Sequence, residues 1–247
     1  IRIYHSVIYS MLEKAIRWGV MPRNVARLVD LPRQVHRELP MLTPEEARAF
    51  LEAAKENRLE ALFVLAITTA ARQGELLGLT WDRVDLDGCT INVRQALQRL
   101  NGQYQIVETK TPQSMRSIAL TSMAVASLRR HLERQEMEKN QLGSAWNNNL
   151  NLVFTTHSGT PLDRNNVRRR ELQSVLRGAC LPLHLRFHDL RHIAASLALA
   201  LGMPVTAVSE MLGHTDAATT LRVYAHAIPG APRKVADALE AVLQVQN

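Results

Sequence analysis

The sequence predicts a mainly α-helical fold into which one small, three-stranded antiparallel sheet is inserted, an α+β arrangement. Apolar residues recur at helical spacing along most of the 247 residues. Between residues 89 and 120 the period changes to two, in short segments separated by turn residues. An apolar content of 46% is sufficient for an ordinary buried core, so we expect a globular protein.

Residues 1–30 predict an amphipathic helix that ends near Gly19, followed by a second, short helix. The stripe of the first helix consists of Tyr4, Ile8, Met11, Ala15 and Trp18. Residues 31–41 contain Pro32 and Pro40 and show no period, which indicates a linker. Two short helices bury little core by themselves, and the chain has no initiator methionine. We therefore interpret the first segment as the end of a helical domain whose beginning is absent.

From residue 42 to residue 228 the sequence patterns that indicate helices and strands are stronger. Thr43 and Glu46 have the spacing of a capping box, which predicts a helix through about Glu56. Further helices are predicted at about 59–71, 74–79, 122–140, 163–179, 188–201, 204–213 and 217–226. The predicted strands are CTINV, GQYQIVE and MRSIAL, with turns at Asn101-Gly102 and Thr111-Pro112. A last helix is predicted at about 232–244, within the C-terminal tail of residues 229–247.

Composition narrows the class of protein. Thirty Lys and Arg against 23 Asp and Glu give a net charge of +7, which makes a polyanion a plausible partner. The two cysteines, Cys89 and Cys180, form no CxxC pair, which favours a reducing, cytoplasmic location. No apolar run reaches the ~18 residues that a membrane helix needs, so we expect no membrane role.

Two polar pairs lie next to helix ends. His188 and Arg191 occupy the first turn of one predicted helix, where backbone N–H groups favour an anion, although a solvated first turn is equally simple. Arg72 follows a strongly apolar helix and precedes Glu75 by three residues. This pair is either a helix cap or a guanidinium held by Glu75 and presented to a phosphate.

Three more residues have the chemistry of a reaction site. Lys110 lies in the predicted turn between the second and third strands, either as a solvated lysine or as a mobile proton donor. His214 and Tyr224 lie ten residues apart in LGHTDAATTLRVYAH. Tyr224 there either fills a helix interface or acts as a nucleophile.

Taken together, these motifs resemble the tyrosine recombinase (phage integrase) family. The matching segments are AARQGE, TKTPQSMR, HDLRH, LGH and TTLRVYAH, which occur in the family's order. Residues 1–30 are loosely similar to the last helices of the family's core-binding domain. The resemblance implies a fragment of that domain at 1–30, a linker at 31–41, a catalytic domain at 42–228 and a tail helix at 229–247.

The resemblance also implies a mechanism. Arg72, Lys110, His188, Arg191 and His214 surround a scissile DNA phosphate, and Tyr224 attacks it to form a 3′-phosphotyrosyl bond. The two arginines stabilise negative charge on the phosphate without a metal, another cofactor or ATP. A tyrosine needs a base because its pKa is ordinarily ~10, and His188 serves as that base. Lys110 protonates the departing 5′-oxygen, His214 hydrogen-bonds the phosphate, and Glu75 orients a cation.

Some positions depart from the family pattern. Ala70 stands where the family has a glycine, and Ile193 and Ala194 stand where it has a threonine and often an aromatic residue. These differences affect how residues pack around the site and how fast the reaction proceeds, and they leave the type of reaction unchanged. We interpret His192 and His226, which flank the matched residues, as structural.

Binding and assembly follow from the same resemblance. Four arginines crowd the predicted helix near DRNNVRRREL and are expected to contact DNA phosphates: Arg164, Arg168, Arg169 and Arg170. The partners implied are double-stranded DNA target sites, a homo-tetramer assembled through the tail, and accessory DNA-bending proteins. The protein is expected to associate with the nucleoid when it is bound to DNA.

Three alternatives remain open. MPVTAVSEMLGHTDAATTLRVYAH has the pattern of a helix-turn-helix, in which Tyr224 and Arg222 would face a DNA groove without catalysis. A type IB topoisomerase uses similar chemistry to relax DNA. A metal-dependent nuclease could use the histidines, but the sequence lacks carboxylates at suitable spacing. The distant arginines and lysine argue against a simple DNA-binding protein.

Overall fold

The computed structural model describes residues 1–32, 41–108, 115–214, 216–225 and 240. Lys110, the turn at Thr111-Pro112, His226 and, apart from residue 240, the predicted helix at 232–244 therefore lie outside the described residues. The chain divides into two compact units, Ile1–Glu38 and Leu39–Asn247. None of the described helices combines the length and the apolar character needed to cross a membrane.

The first unit contains helix α1 (Arg2–Arg17) and a 3₁₀-helix (Val25–Leu28). Asn24 joins the two, because its side-chain amide donates to the Tyr9 carbonyl and the Glu13 carboxylate over 3.1 and 2.8 Å. All of α1 is described, and none of its residues is buried. This agrees with the expectation that these two short helices bury little core.

Three helices open the second unit. Helix α2 (Pro44–Ala54) begins at the predicted capping box: the Glu46 N–H donates to the Thr43 hydroxyl, and the Thr43 N–H donates to the Glu46 carboxylate. Helix α3 (Glu60–Thr69) is buried on nearly all sides, packing against α2, α5 (Ser122–Leu142) and α8 (Phe187–Ala200). Helix α4 (Gln73–Leu77) follows after a tight turn. The main core lies among these helices.

The strands form two small antiparallel sheets, where the sequence predicted one. Strands β1 (Val84–Asp85), β2 (Thr90–Val93) and β5 (Arg116–Ala119) form a sheet in the order β1-β2-β5. Strands β3 (Gln95–Leu100) and β4 (Gln103–Glu108) form a separate hairpin. The predicted strand GQYQIVE therefore pairs with a strand that was not predicted. QALQRL escaped prediction because Leu97 is its one fully buried residue, which leaves little alternation.

The hairpin of β3 and β4 lies beside the cleft that contains Arg72 and His188. Its turn at Asn101-Gly102 has positive φ at both residues, as a tight two-residue hairpin requires. Strand β3 packs on α4 at Gly78, where an added Cβ would lie 2.5 Å from the Leu97 nitrogen. The Gln95 side chain also donates to the Gly78 carbonyl over 2.9 Å. The glycine thus permits the close approach that fixes the hairpin.

The remaining helices complete the second unit. The predicted helix at 163–179 is interrupted: α6 (Arg164–Asn166) leads into a π-helical segment (Val167–Leu172) and then α7 (Gln173–Gly178). Helices α8, α9 (Val205–Leu212) and α10 (Ala217–Tyr224) follow close to their predicted positions. A second, smaller apolar cluster joins their faces and includes Ala70, Leu199, Leu212 and Tyr224.

Candidate active site

The first turn of α8 presents two of the predicted site residues in different ways. His188 is exposed, whereas Arg191 is buried, with 3% of its surface accessible. The Arg191 guanidinium donates to the carbonyl oxygens of Ala70 and Leu212, each over 2.6 Å. These bonds occupy two of its N–H groups, and the remaining ones can bind an anion. Burial, followed by the charge of Arg72, lowers the pKa of Arg191 to about 10, so it is still a cation at neutral pH.

The turn between α3 and α4 explains how Arg72 and Arg191 come to the same place. Ala70 adopts the left-handed conformation, with φ of 52°. This conformation ends α3, aims the Ala70 carbonyl at Arg191 and starts α4 with Arg72 as its N-cap. Glycine adopts it more easily than alanine. Alanine in place of the family's glycine at this position therefore introduces backbone strain inside the candidate site.

Glu75 holds two guanidinium groups. Its carboxylate accepts from Arg72 Nη1 over 2.8 Å and from Arg116 Nη2 over 2.9 Å. It also accepts from the Arg72 backbone N–H over 2.9 Å. Burial alone would raise the pKa of Glu75, but the hydrogen bond and charge of Arg116 outweigh it, and the pKa is lowered. The side chain of Arg72 is 41% exposed, so Glu75 orients a cation that faces solvent.

Sequence reasoning did not identify Arg116. Its side chain is only 6% exposed, and its Nε donates to the Met211 carbonyl over 3.0 Å. Arg116 therefore connects strand β5, helix α4 through Glu75, and the end of α9. One signal was present: Arg116 lies in phase with Ile118 and Leu120, the buried face of the alternating segment MRSIAL.

His214 is held just after α9. Gly213 ends that helix in the left-handed conformation, and His214 Nδ1 lies 2.8 Å from the hydroxyl of the buried Thr220. Partial burial, followed by the charges of Arg191, Arg72 and Arg116, lowers the pKa of His214. The ring is thus neutral at neutral pH, and its orientation is fixed from α10.

Tyr224 is buried, with 1% of its surface accessible, and its ring packs in the smaller apolar cluster. Burial raises the pKa of Tyr224 to about 12, against an opposing effect of the Arg191 charge. The hydroxyl lies 2.7 Å from Nδ1 of His192. His188, which the sequence suggested as the base, instead packs edge-on against the His192 ring, with centroids 4.7 Å apart. The imidazole next to the phenol is therefore His192.

An open cleft of about 700 Å³ lies in front of Arg72 and His188. Its lining also includes Arg99, Arg164 and Glu108. Arg164 is thus one predicted DNA-binding residue that faces the cleft. The other three, Arg168, Arg169 and Arg170, are exposed along the π-helical segment.

The structure brings six predicted residues into one region of the second unit: Arg72, Glu75, His188, Arg191, His214 and Tyr224. Lys110 is outside the described residues. In the described part of the chain, no group of three or more His, Cys, Asp or Glu residues is arranged to hold a metal ion.

Comparison with known proteins identifies relatives of this arrangement. Residues 40–229 match the phage integrase family. A tyrosine recombinase XerC-like protein of Caldanaerobacter subterraneus is 30% identical over 246 residues, covering 93% of this chain and 62% of the relative. An integrase of Streptomyces ambofaciens is 33% identical over 231 residues, covering 89% of this chain and 58% of that protein. The chain thus spans about three-fifths of the curated relatives it matches.

Solved structures give the same fold. The Tn1549 transposon integrase, in complex with a circular intermediate DNA, superposes with a TM-score of 0.79 at 21% identity. The match covers 96% of this chain and 78% of the integrase chain. The expected mainly helical fold with small antiparallel strands, of the tyrosine recombinase type, is confirmed.

Proposed function

The chain belongs to the phage integrase family, and we propose that it is the catalytic portion of a site-specific DNA recombinase. In this proposal it cleaves and rejoins double-stranded DNA through a 3′-phosphotyrosyl intermediate. One observation carries the proposal: the buried Tyr224 belongs to the same apolar cluster as Ala70 and Leu212, whose carbonyls hold the guanidinium of Arg191, and Arg72 follows Ala70 by two residues. A simple DNA-binding protein has no need of this grouping.

The arginines stabilise the transition state of this proposal. In-line attack on a phosphodiester increases negative charge on the two non-bridging oxygens. Arg72, oriented by Glu75, and the remaining N–H groups of Arg191 are suited to those oxygens, because a planar guanidinium matches phosphate geometry. His214, fixed by Thr220, donates a further hydrogen bond to the phosphate.

The nucleophile needs help to lose its proton. With a pKa of about 12, Tyr224 is almost entirely a neutral phenol at neutral pH. In our proposal the proton leaves as the oxygen–phosphorus bond forms, and His188 receives it. His188 is exposed next to His192, and partial desolvation lowers its pKa, so its imidazole is neutral and able to accept a proton. Lys110 protonates the 5′-oxygen as the phosphorus–oxygen bond breaks.

DNA binding and assembly complete the proposal. Arg164 at the cleft and the exposed Arg168, Arg169 and Arg170 contact phosphates on either side of the reacting one. Residues 1–30 belong to a core-binding domain, joined by the linker at 31–41 to the catalytic domain at 42–228. The tail at 229–247 joins subunits into a tetramer in the cytoplasm, with accessory DNA-bending proteins as further partners.

The burial of Tyr224 argues against the helix-turn-helix alternative. That alternative requires Tyr224 and Arg222 to face a DNA groove together. Arg222 is exposed, but Tyr224 is enclosed by its own domain and bonded to His192. Arg222 and Tyr224 therefore do not share one exposed face, as that alternative requires.

Covalent capture tests the proposed function. The 247-residue chain is incubated in EDTA with nicked duplexes that have a randomised central sequence, and DNA that stays attached in SDS is recovered and sequenced. We expect an SDS-stable adduct with the enriched sequence. Tyr224→Phe should abolish the adduct while DNA binding persists, and the exposed Tyr4→Phe serves as the matched control.

Two results would contradict the proposal. An adduct that survives in the Tyr224→Phe variant shows that another residue is the nucleophile. Relaxation of supercoiled plasmids without the enriched sequence, at the same rate as plasmids with it, identifies a topoisomerase instead.

A further inference from the structure

The hydroxyl of Tyr224 has a defined partner that the chemistry above does not use. His192 Nδ1 lies 2.7 Å from the hydroxyl oxygen, and the two rings are 5.6 Å apart with a tilt of 48°. His192 is half-buried on α8, and Tyr224 is the last residue of α10. The contact therefore joins the two helices at the reacting atom itself.

The position of His192 is fixed by its neighbour. Arg191 is bonded to the Ala70 and Leu212 carbonyls, which prevents the first turns of α8 from rotating relative to α3 and α9. His192 follows directly in the chain, so its ring is held in the same frame as the guanidinium. A hydroxyl bonded to His192 is consequently held at a fixed place relative to Arg191.

The apolar cluster alone cannot align the hydroxyl. Ala70, Ala195, Leu199 and Leu212 belong to the same apolar cluster as the Tyr224 ring, and contacts between apolar groups are non-directional. A hydrogen bond supplies the direction that the cluster lacks. It also satisfies a hydroxyl that burial would otherwise leave without a partner.

We propose that His192 is a positioning residue for DNA cleavage, which holds the Tyr224 hydroxyl in register with Arg191 before the phosphate arrives. The inference rests on the proposed function, because it concerns the same nucleophile. In this role His192 carries its own proton on Nε2. Its Nδ1 accepts a hydrogen bond from the Tyr224 hydroxyl and does not remove the hydroxyl proton.

The pKa values of the two groups favour positioning over proton removal. Burial, followed by the neighbouring His188, lowers the pKa of His192 to about 4, while burial raises that of Tyr224 to about 12. These opposite shifts disfavour transfer of the proton from the hydroxyl to His192 in the resting protein. The groups that act on the His192 ring are His188, Asp189 and Arg191 from α8, Arg186 at the N-cap of that helix, and Tyr224 from α10.

Two amide substitutions separate a directional contact from simple packing. His192→Asn places an amide where Nδ1 lies and can keep the hydrogen bond, whereas His192→Gln places its amide nearer to Nε2. We expect adduct formation on the captured sequence within about threefold of wild type for Asn. For Gln we expect a loss of about tenfold or more, the scale of a lost hydrogen bond at a reacting atom. Thermal denaturation checks that both variants fold.

The pH profile separates positioning from proton removal. Asparagine cannot take up a proton near neutral pH, so the Asn variant should have the same profile of rate against pH as wild type. Equal loss in the Asn and Gln variants, or a profile that changes with Asn, would overturn the positioning role. So would a Gln variant that cleaves as fast as wild type.

A spectroscopic measurement makes the inference independent of cleavage. With tyrosine labelled at the ring carbon that bears the hydroxyl, the NMR signal of Tyr224 is identified by its absence in Tyr224→Phe. We expect this signal to shift in the Gln variant and to stay near the wild-type position in the Asn variant. Failure of wild type to form any adduct would refute the proposed function, whereas an unshifted signal in the Gln variant would refute the contact.

Discussion

Glu75→Gln removes the carboxylate charge that Arg72 and Arg116 share. The side chain of Glu75 is 3% exposed and that of Arg116 is 6% exposed, so the change removes the charge of a buried carboxylate that pairs with a buried guanidinium. Breaking such a pair costs about 3–5 kcal/mol. The Arg72 half of the network is 41% exposed and is screened by solvent, so we assign it little of this energy. We expect a loss of about 3 kcal/mol in the free energy of unfolding.

The assay is urea denaturation of wild type and variant at pH 7.5, followed by circular dichroism. For a unit of this size the loss corresponds to a fall of about 6–12 °C in Tm. Glu52→Gln is the matched control, since Glu52 pairs with Lys55 at the same i, i+3 spacing but its side chain is 72% exposed. That control should change the stability by less than about 0.5 kcal/mol.

The pH dependence has a definite sign. The pKa of Glu75 is lowered in the folded protein, so its stabilising contribution is present above the unfolded pKa and is lost as the pH falls through the folded value. The difference between wild type and Glu75→Gln should therefore shrink below about pH 4.5. A variant within about 0.5 kcal/mol of wild type at pH 7.5 would refute the reasoning.

Other parts of the site give three further expectations. Ala70→Gly should change the free energy of unfolding by less than about 0.5 kcal/mol, because relief of the left-handed backbone, about 1 kcal/mol, offsets the loss of a buried methyl group, about 0.8 kcal/mol; a change above 1.5 kcal/mol in urea titrations contradicts this. Thr220→Val removes the hydroxyl that orients His214 and should slow adduct formation about three- to tenfold at unchanged DNA affinity; an unchanged rate argues against that orientation. Arg169→Ala should lower the slope of log affinity against log salt by about 0.9, whereas Arg48→Ala, an exposed control, should leave it unchanged.

The sequence was a good guide to helices because their signals are local. Apolar spacing and the Thr43–Glu46 capping box lie within one or two turns of chain, and these helices are found close to where they were predicted. Strand pairing is not local: β2 pairs with β5 across the intervening hairpin, and nothing in CTINV or GQYQIVE states which strand is the partner. The three predicted strands are present as β2, β4 and β5, but β1 and β3 were not predicted and the single sheet was wrong.

The candidate site shows the same limit at the level of side chains. Residue type and order identified Arg72 and Tyr224, but spacing along a chain does not say which atoms touch. Arg116 reaches Glu75 from 41 residues away, and Tyr224 meets His192 across 32. Sequence reasoning interpreted His192 as structural, as a residue that flanks the matched positions. Three-dimensional packing decides which of two adjacent histidines meets the phenol.

The two carbonyls that hold Arg191 have a consequence for the timing of activity. One acceptor, Ala70, lies 121 residues before the arginine, and the other, Leu212, lies 21 residues after it. In a chain still being synthesised that has not reached Leu212, Arg191 lacks one of the two carbonyl acceptors that hold it in the folded domain. The cation is therefore locked in place only when the segment that leads to Tyr224 has emerged. In the proposed enzyme, unfinished chains lack the means to cut DNA, and strand cleavage begins with the complete domain.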